Sequence, residues 1–460
     1  MNTTICAVST PPGIGGIAVI RISGPETIKT VSEIWKGKDI SSISSHTAHL
    51  GTILDTDKNT LDQALLTLFR APGSFTGEDV IEISVHGSTY IQQEILRSLI
   101  SSGARLAQPG EFTRRAFMNH KIDLVQTDAI ASLIHSTNKA THNLAINQMR
   151  GNVSDKLKEL RQSLLKLSTL LELELDFSEE EVEFADRTEL IRLAEEIQSE
   201  IDTLKNTFKT GKAIKEGVAV AIIGPTNAGK SSLLNTLLQD NKAIVSEIHG
   251  TTRDTIEDTA IIDGIEFRFI DTAGLRETTD KIEKLGIERS RIAARQANII
   301  LIVTDWSSNP DYEEIRNILE TDNLSENIIH ISNKYDLAPT PAYTQFLKEF
   351  EKKHPHIQTI HISTKTEYGI ETLRKTLVET ILPQPDLKEA VIITNALHYQ
   401  SLNSASQSNS NIINGLQSGV PTDLIVQDVR ETISCLGEIT GEITSSEILQ
   451  NIFANFCIGK

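Results

Sequence analysis

The strongest chemical signal is the octapeptide Gly224-Pro-Thr-Asn-Ala-Gly229-Lys230-Ser231. It has the spacing G-x-x-x-x-G-K-S, behind an apolar run and ahead of a helical stretch. Glycines at these places let backbone N–H groups close around phosphate oxygens. The N-terminus of the following helix adds partial positive charge. Lys230 is placed to reach the β and γ phosphates, and Ser231 to ligate Mg²⁺. Asp271-Thr-Ala-Gly274 comes next; its acid can hold Mg²⁺ through water, and Gly274 permits close approach to the γ-phosphate. In Asn333-Lys-Tyr-Asp336 the last carboxylate can accept two hydrogens from guanine N1 and N2, which adenine cannot supply. Ser363-Thr-Lys365 fits a backbone contact to guanine O6. Each short motif alone is weak. All of them in order, each at the C-terminal end of a strand-like run, are specific, because that edge is where open parallel sheets bind ligands. The nucleotide implied is GTP.

Many GTPases place a water-orienting Gln directly after the glycine of the second motif. Here the residue is Leu275, which cannot hydrogen-bond water. Another group must orient the water, or hydrolysis is slow; the polar residues nearby are Arg253, Arg276, Glu277 and Glu283.

These motifs need a sheet beneath them. The apolar runs Val218–Ile223, Phe267–Ile270, Ile299–Val303, Ile328–Ser332 and Thr359–Ser363 alternate with helical stretches over 216–380. That is the rhythm of a mostly parallel sheet with crossover helices. Residues 1–118 read as α+β. Ile17–Ile22, Ala64–Phe69 and Val80–Val85 are strand-like, and Gln92–Ile100 is helical, ending near Gly103. Over 119–215 proline disappears, and Leu157, Leu160, Leu164 and Leu167 recur at helical spacing. Residues 381–460 return to helix, with a capping box at Thr444 and Glu447. Ser401–Asn411 would pass for a linker on composition alone. The simplest arrangement is a helical domain of 119–215 and 381–460 with an α/β domain, 216–380, inserted into it.

Composition sets the outer limits. A chain of 460 residues suggests two or three domains. A net charge of −18 excludes a uniformly basic coat for nucleic acid. Glu172–Asp186 holds eight acids and no base, as a solvated helix end and loop would. Cys6, Cys435 and Cys457 stand far apart, which argues against a cysteine zinc site and fits a reducing compartment. With no basic-then-apolar leader at Met1–Thr10 and no run near the roughly 18 apolar residues of a membrane helix, a cytoplasmic protein is expected.

Longer matches make a resemblance specific. Gly250-Thr-Thr-Arg-Asp254, Asp271-Thr-Ala-Gly-Leu-Arg276, Ile282-Glu283-Lys-Leu-Gly-Ile-Glu-Arg289 and Cys457-Ile-Gly-Lys460 together resemble the MnmE (TrmE) family of tRNA-uridine-modifying GTPases. Pro11-Pro-Gly, Arg21-Ile-Ser-Gly24, Phe75-Thr-Gly-Glu-Asp79 and Pro109-Gly-Glu-Phe112 match as well. The resemblance covers the whole chain. It implies a multidomain α+β and α/β fold: an α+β folate-binding, dimerising N-terminal domain, a discontinuous helical domain, and an inserted P-loop G domain. It makes Ser401–Asn411 helical, against its composition. It implies a homodimer that works on tRNA with the FAD-dependent MnmG (GidA) protein, away from membranes. Together they would add an aminomethyl or carboxymethylaminomethyl group to carbon 5 of the wobble uridine. The one-carbon unit would come from 5,10-methylene- or 5-formyl-tetrahydrofolate.

The resemblance also implies residue roles. Asn227, Ser246, Ile248 and Thr251 would ligate K⁺, which would act as a built-in arginine finger. Thr252 would join Ser231 on Mg²⁺, and Glu283 would orient the water. The catalytic set is then Glu283, Lys230, Asn227 and Gly274. The nucleotide set runs through Asn227, Ala228, Gly229, Lys230, Ser231 and Ser232, then Ser246, Glu247, Ile248, His249, Gly250, Thr251 and Thr252. It continues with Asp271, Thr272, Ala273 and Gly274, then Asn333, Lys334 and Asp336, and ends with Ser363, Thr364 and Lys365. Arg21, Glu82, Lys121 and Lys460 match folate contacts; Arg and Lys suit glutamyl carboxylates, and an acid suits a pterin-like ring. Cys457 has a possible role in the modification.

Two other readings compete. A ribosome-assembly switch with a similar G domain commonly carries a basic module, yet 389–460 holds only Arg430 and Lys460 against seven acids. A membrane-associated GTPase would need a basic amphipathic helix, which is missing from the pattern.

Overall fold

The computed structural model describes residues 3–176, 187–238, 258–270, 292–308, 315–316, 319, 324, 327–382, 391–442 and 459. The chain forms two compact units, Met1–Ala131 with Met149–Leu190 and Asn414–Lys460, and Ser132–Gln148 with Ile191–Ile413. The helical stretches are divided between them.

The first unit is built on a seven-stranded sheet. Its strands are β1 (Ile5–Val8), β2 (Gly15–Ser23), β3 (Trp35–Lys36), β4 (Thr47–Leu54), β5 (Thr60–Phe69), β6 (Val80–Gly87) and β7 (Arg105–Leu106). Their order is β3-β4-β5-β6-β2-β1-β7, and only β1 and β7 run parallel. Alternation on β6 buries Ile81, Ile83 and Val85 with Ile95 and Leu99 of the helix Thr89–Ser101. Trp35 completes this core and donates from Nε1 to the Lys38 carbonyl at 3.1 Å. Strands β1, β3, β4 and β7 escape a reading of local pattern. β3 and β7 are two residues long, and β4 leaves Leu50 70% exposed, so its apolar residues do not mark a buried face. The expected leucine stripe is buried: Leu157, Leu160, Leu164 and Leu167 lie on the helix Asn152–Asp176, which packs on Thr422–Thr440.

The second unit holds a six-stranded sheet of β8 (Val218–Ile223), β9 (Asp258–Ile262), β10 (Ile265–Ile270), β11 (Ile299–Asp305), β12 (Ile328–Asn333) and β13 (Gln358–His361). The order is β13-β12-β11-β8-β10-β9, parallel throughout except for β9. Every residue of β8 is buried because both faces are covered. Val218, Val220 and Ile222 enter one core, and Ala221 and Ile223 the other. β9 is the strand that the apolar runs do not reveal. Its signal is the Asp263-Gly264 turn, with φ of 49° and 82°, which closes the β9–β10 hairpin.

Residues 401–411 lie inside the helix Ala396–Ser418, so composition alone misleads there. The polar residues are used in packing against the helix Arg187–Glu216. Asn409, fully buried, donates from Nδ2 to the Ala194 carbonyl and to Gln198 Oε1, each at 2.9 Å. The Ser406 hydroxyl bonds to Asp202 at 2.9 Å. Small polar side chains let the helices approach and bond to one another across the contact. The capping box at Thr444 and Glu447 lies outside the described residues, as does most of the acidic segment. Among the described residues no helix is long and apolar enough to cross a membrane.

Candidate nucleotide-binding site

β8 delivers the chain into the glycine-rich loop, and the helix Lys230–Leu238 leaves it. Asn227 takes a left-handed φ of 65°, and Gly229 has a φ of 93°. A side chain at Gly229 would put Cβ 2.2 Å from Asn333 Nδ2, so only glycine fits. Lys230 Nζ donates to the carbonyls of Gly224 at 2.6 Å and Pro225 at 2.8 Å. Its ammonium is thereby curled over the loop, where it can meet phosphate oxygens. Ala228 is buried beneath the loop, while Asn227, Ser231 and Ser232 are exposed. The Ser231 hydroxyl, in the first turn of the helix, is a hard oxygen donor of the kind Mg²⁺ takes. The Asn227 carboxamide offers an oxygen suited to K⁺.

The third motif meets this loop directly. Asn333, fully buried at the end of β12, donates from Nδ2 to the Ala228 carbonyl at 2.9 Å. Its Oδ1 accepts from the Thr364 amide at 3.3 Å. Asp336 Oδ1 accepts from the Ser363 hydroxyl at 2.7 Å. The exposed Asp336 carboxylate is thus held beside the loop of Ser363, Thr364 and Lys365. Tyr335 stacks on Tyr368 with ring centroids 5.4 Å apart, which ties the same two loops on their outer side. Three motifs far apart in sequence therefore share one edge of one sheet.

Polar groups behind this edge are paired. Asp305, at the end of β11, accepts from Lys334 Nζ at 2.7 Å. Burial alone would raise its pKa, but the bonds from Lys334 and from the Ser307 hydroxyl and amide outweigh it and hold the carboxyl below its usual range. His330 sits in the core with its ring nitrogens on the Thr304 hydroxyl at 2.8 Å and the Thr359 hydroxyl at 3.2 Å. Burial, with a smaller contribution from His361, lowers its pKa to about 3, so it is neutral at ordinary pH.

In the first unit, Arg21 and Glu82 face each other across β2 and β6. The guanidinium donates from Nε at 2.9 Å and Nη2 at 2.7 Å to one carboxylate oxygen and lies over the Phe75 and Phe112 rings. A paired cation and anion beside a half-exposed aromatic ring suits a ligand with both a ring and a carboxylate. Lys121 donates to the Pro72 carbonyl at 3.0 Å. Gly459, next to the expected Lys460, lies at the end of β1. Its carbonyl accepts from the Ser9 hydroxyl at 3.1 Å, and its φ is 97°.

Two motif acids are structural. Glu78 and Glu111 close on Arg115, whose i,i+4 spacing from Glu111 would pass for a surface pair but which is fully buried. Arg115 also donates to the Thr3 carbonyl at 2.8 Å, and Ser23 donates to Glu78 at 2.8 Å. Three N-terminal motifs thus interlock through one arginine. Ser9 and Asp305 were likewise missed. Asp305 could have been found by its place at the C-terminal end of a strand, but Ser9 matters only through a contact 450 residues along the chain.

Ser246, Glu247, Ile248, His249, Gly250, Thr251, Thr252, Asp271, Thr272, Ala273, Gly274, Glu283, Cys457 and Lys460 lie outside the described residues. So do Arg253, Leu275, Arg276 and Glu277.

Comparison with known proteins agrees along the whole chain. A model of the MnmE helical domain matches residues 124–457, and one of the GTP-binding protein TrmE N-terminus matches residues 4–121. The tRNA modification GTPase MnmE of Parabacteroides distasonis is 50% identical over 465 residues, with 100% of each chain covered. Its counterpart in Cytophaga hutchinsonii is 46% identical, covering 99% of this chain and 98% of that one. The Bacteroides thetaiotaomicron protein is 46% identical, covering 99% of each.

Proposed function

The chain belongs to the MnmE (TrmE) family of tRNA modification GTPases, and from that premise we propose that its GTP hydrolysis serves a folate-dependent modification of the tRNA wobble uridine. The chain is a GTPase, and its fold joins an α+β N-terminal domain, a discontinuous helical domain and an inserted P-loop G domain with a mostly parallel sheet. We place the domain limits at 1–118, at 119–215 with 381–460, and at 216–380. The observation that carries the nucleotide reading is the Asn333 side chain, which bonds to both the phosphate loop and the Thr364 amide. A guanine recognised at Asp336 is thereby set at a fixed reach from phosphates held by Gly229, Lys230 and Ser231.

Within that site, Lys230 binds the β and γ phosphates, and Asp336 accepts the guanine N1 and N2 hydrogens. Thr252 joins Ser231 as a Mg²⁺ ligand. Glu283 orients the attacking water, a task Leu275 cannot perform. Asn227, with Ser246, Ile248 and Thr251, holds K⁺; when bound, K⁺ supplies positive charge where the transition state gains negative charge. In the N-terminal domain Arg21, Glu82, Lys121 and Lys460 bind a tetrahydrofolate derivative that supplies the one-carbon unit, and Cys457 lies in the same tail. The working form is a cytoplasmic homodimer together with the FAD-dependent MnmG (GidA) protein and tRNA. The partner flavoprotein carries much of the tRNA affinity, in keeping with the net charge of −18 on this chain.

The test is a deletion strain whose wobble uridines are analysed by mass spectrometry, with the tagged chain purified in parallel. Loss of the carbon-5 aminomethyl group and recovery of an FAD protein are expected. Normal wobble uridines in the deletion strain would sink the proposal.

A further inference from the structure

β11 ends at Asp305, and both of its carboxylate oxygens are in use. Oδ1 accepts from the Ser307 amide at 2.8 Å and hydroxyl at 2.7 Å. Oδ2 accepts from Lys334 Nζ at 2.7 Å. The next amide, of Trp306, donates to the Asn333 carbonyl at 2.9 Å. The turn after β11 thus grips the loop Asn333–Asp336 at two points. Lys334 has a φ of 63°, a left-handed conformation that a residue with a side chain adopts only when its surroundings favour it. The Lys334 carbonyl accepts from the Leu337 amide at 2.9 Å, so this residue opens the turn that carries Asp336.

We propose that Asp305 is a positioning residue for guanine-nucleotide binding: its carboxylate holds Lys334 in the left-handed turn and so presets Asp336 for the base. This rests on the reading of Asn333–Asp336 as the guanine-contact loop. Asp305 is not a ligand contact; it acts through Lys334. Without its charge the loop spends part of its time in other conformations, and nucleotide must select the competent one. The loss falls on GDP and GTP alike, because the loop addresses the base they share. It lowers affinity and leaves the hydrolytic step of the bound complex unchanged.

Asp305→Asn keeps the shape and the acceptor for Ser307 but removes the charge. Titration of the full chain with a fluorescent GDP analogue is expected to give a Kd weaker by roughly tenfold. KM for GTP rises by the same factor, with kcat within about twofold of wild type. Asp305→Glu, which keeps the charge, recovers part of the affinity. In a Lys334→Met background, Asp305→Asn has no further effect, since its partner is gone. An unchanged Kd, a fall in kcat at constant KM, or an undiminished loss in the Lys334→Met background would each overturn the role of Asp305. Failure of the wild-type chain to bind GDP would overturn the guanine-loop reading as well, and is distinguished by that control.

Discussion

The Asn333 carboxamide and the Ala228 carbonyl are joined by a hydrogen bond of 2.9 Å, although 105 residues separate them. The bond fixes the Asn333–Asp336 loop, proposed to read the base, to the glycine-rich loop. Gly229 lies so close beneath it that a Cβ would stand 2.2 Å from Asn333 Nδ2.

Gly229→Ala is therefore expected to weaken GTP binding by at least about a hundredfold, through a clash with Asn333 and a positive φ of 93°. The first unit is untouched. Equilibrium binding of labelled GTP checks the loss, and in a Trp306→Phe background Trp35 fluorescence checks that the first unit keeps its fold.

Replacing Na⁺ by K⁺ should raise GTP turnover severalfold, because Asn227 and its partners are proposed to hold K⁺ at the transition state. Equal steady-state rates in the two salts would exclude this. Glu283→Ala should nearly abolish hydrolysis and leave GTP affinity intact, measured on the same preparation.

Arg115 is buried with its guanidinium shared between Glu78 and Glu111. Arg115→Met leaves Glu78 without its cation and strips Glu111 of one of two, Arg105 remaining; breaking a buried pair costs about 3–5 kcal/mol. The protein has two tryptophans, Trp35 in the first unit and Trp306 in the second. In a Trp306→Phe background, urea unfolding followed on Trp35 reads the first unit alone, and its midpoint should fall.

Glu111 makes the same unit acid-sensitive. Burial alone would raise its carboxyl, but Arg105, the Gln108 amide and Arg115 bring it down from 4.5 to about 2. A carboxylate whose pKa is depressed by folding contributes stability that is complete above the unfolded value. That stability is lost as pH falls from 4.5 towards 2. The contribution is roughly 3 kcal/mol. The difference in unfolding free energy between wild type and Glu111→Gln should shrink over that interval, read on Trp35.

Gly459 meets the end of β1 so closely that a Cβ would lie 2.3 Å from the Val8 carbonyl. Gly459→Ala is expected to displace the tail bearing Cys457 and Lys460. Wobble-uridine modification should drop at least about tenfold while GTP hydrolysis stays at the wild-type rate. Complementation of the deletion strain and a GTPase assay on the purified variant measure the two separately.

The glycine-rich loop, the Asn333–Asp336 tetrapeptide at a strand end and the apolar strands beneath them are legible in the sequence because they are local. A parallel strand buried on both faces must be a continuous apolar run, as Val218–Ile223 is, and a phosphate loop needs its glycines and lysine at set spacing. The leucine stripe of 157–167 was legible for the same reason. What local pattern could not decide were the partnerships. The Ser/Asn-rich stretch 401–411 is helix because Asn409 and Ser406 find Ala194, Gln198 and Asp202 on another helix. Arg115 reaches Glu78, Asp305 holds Lys334, and Gly459 rests on Ser9, each across a separation that no spacing rule spans. Hydrogen bonds and ion pairs depend on distances of about 3 Å in space. Only the folded chain brings those groups within that range.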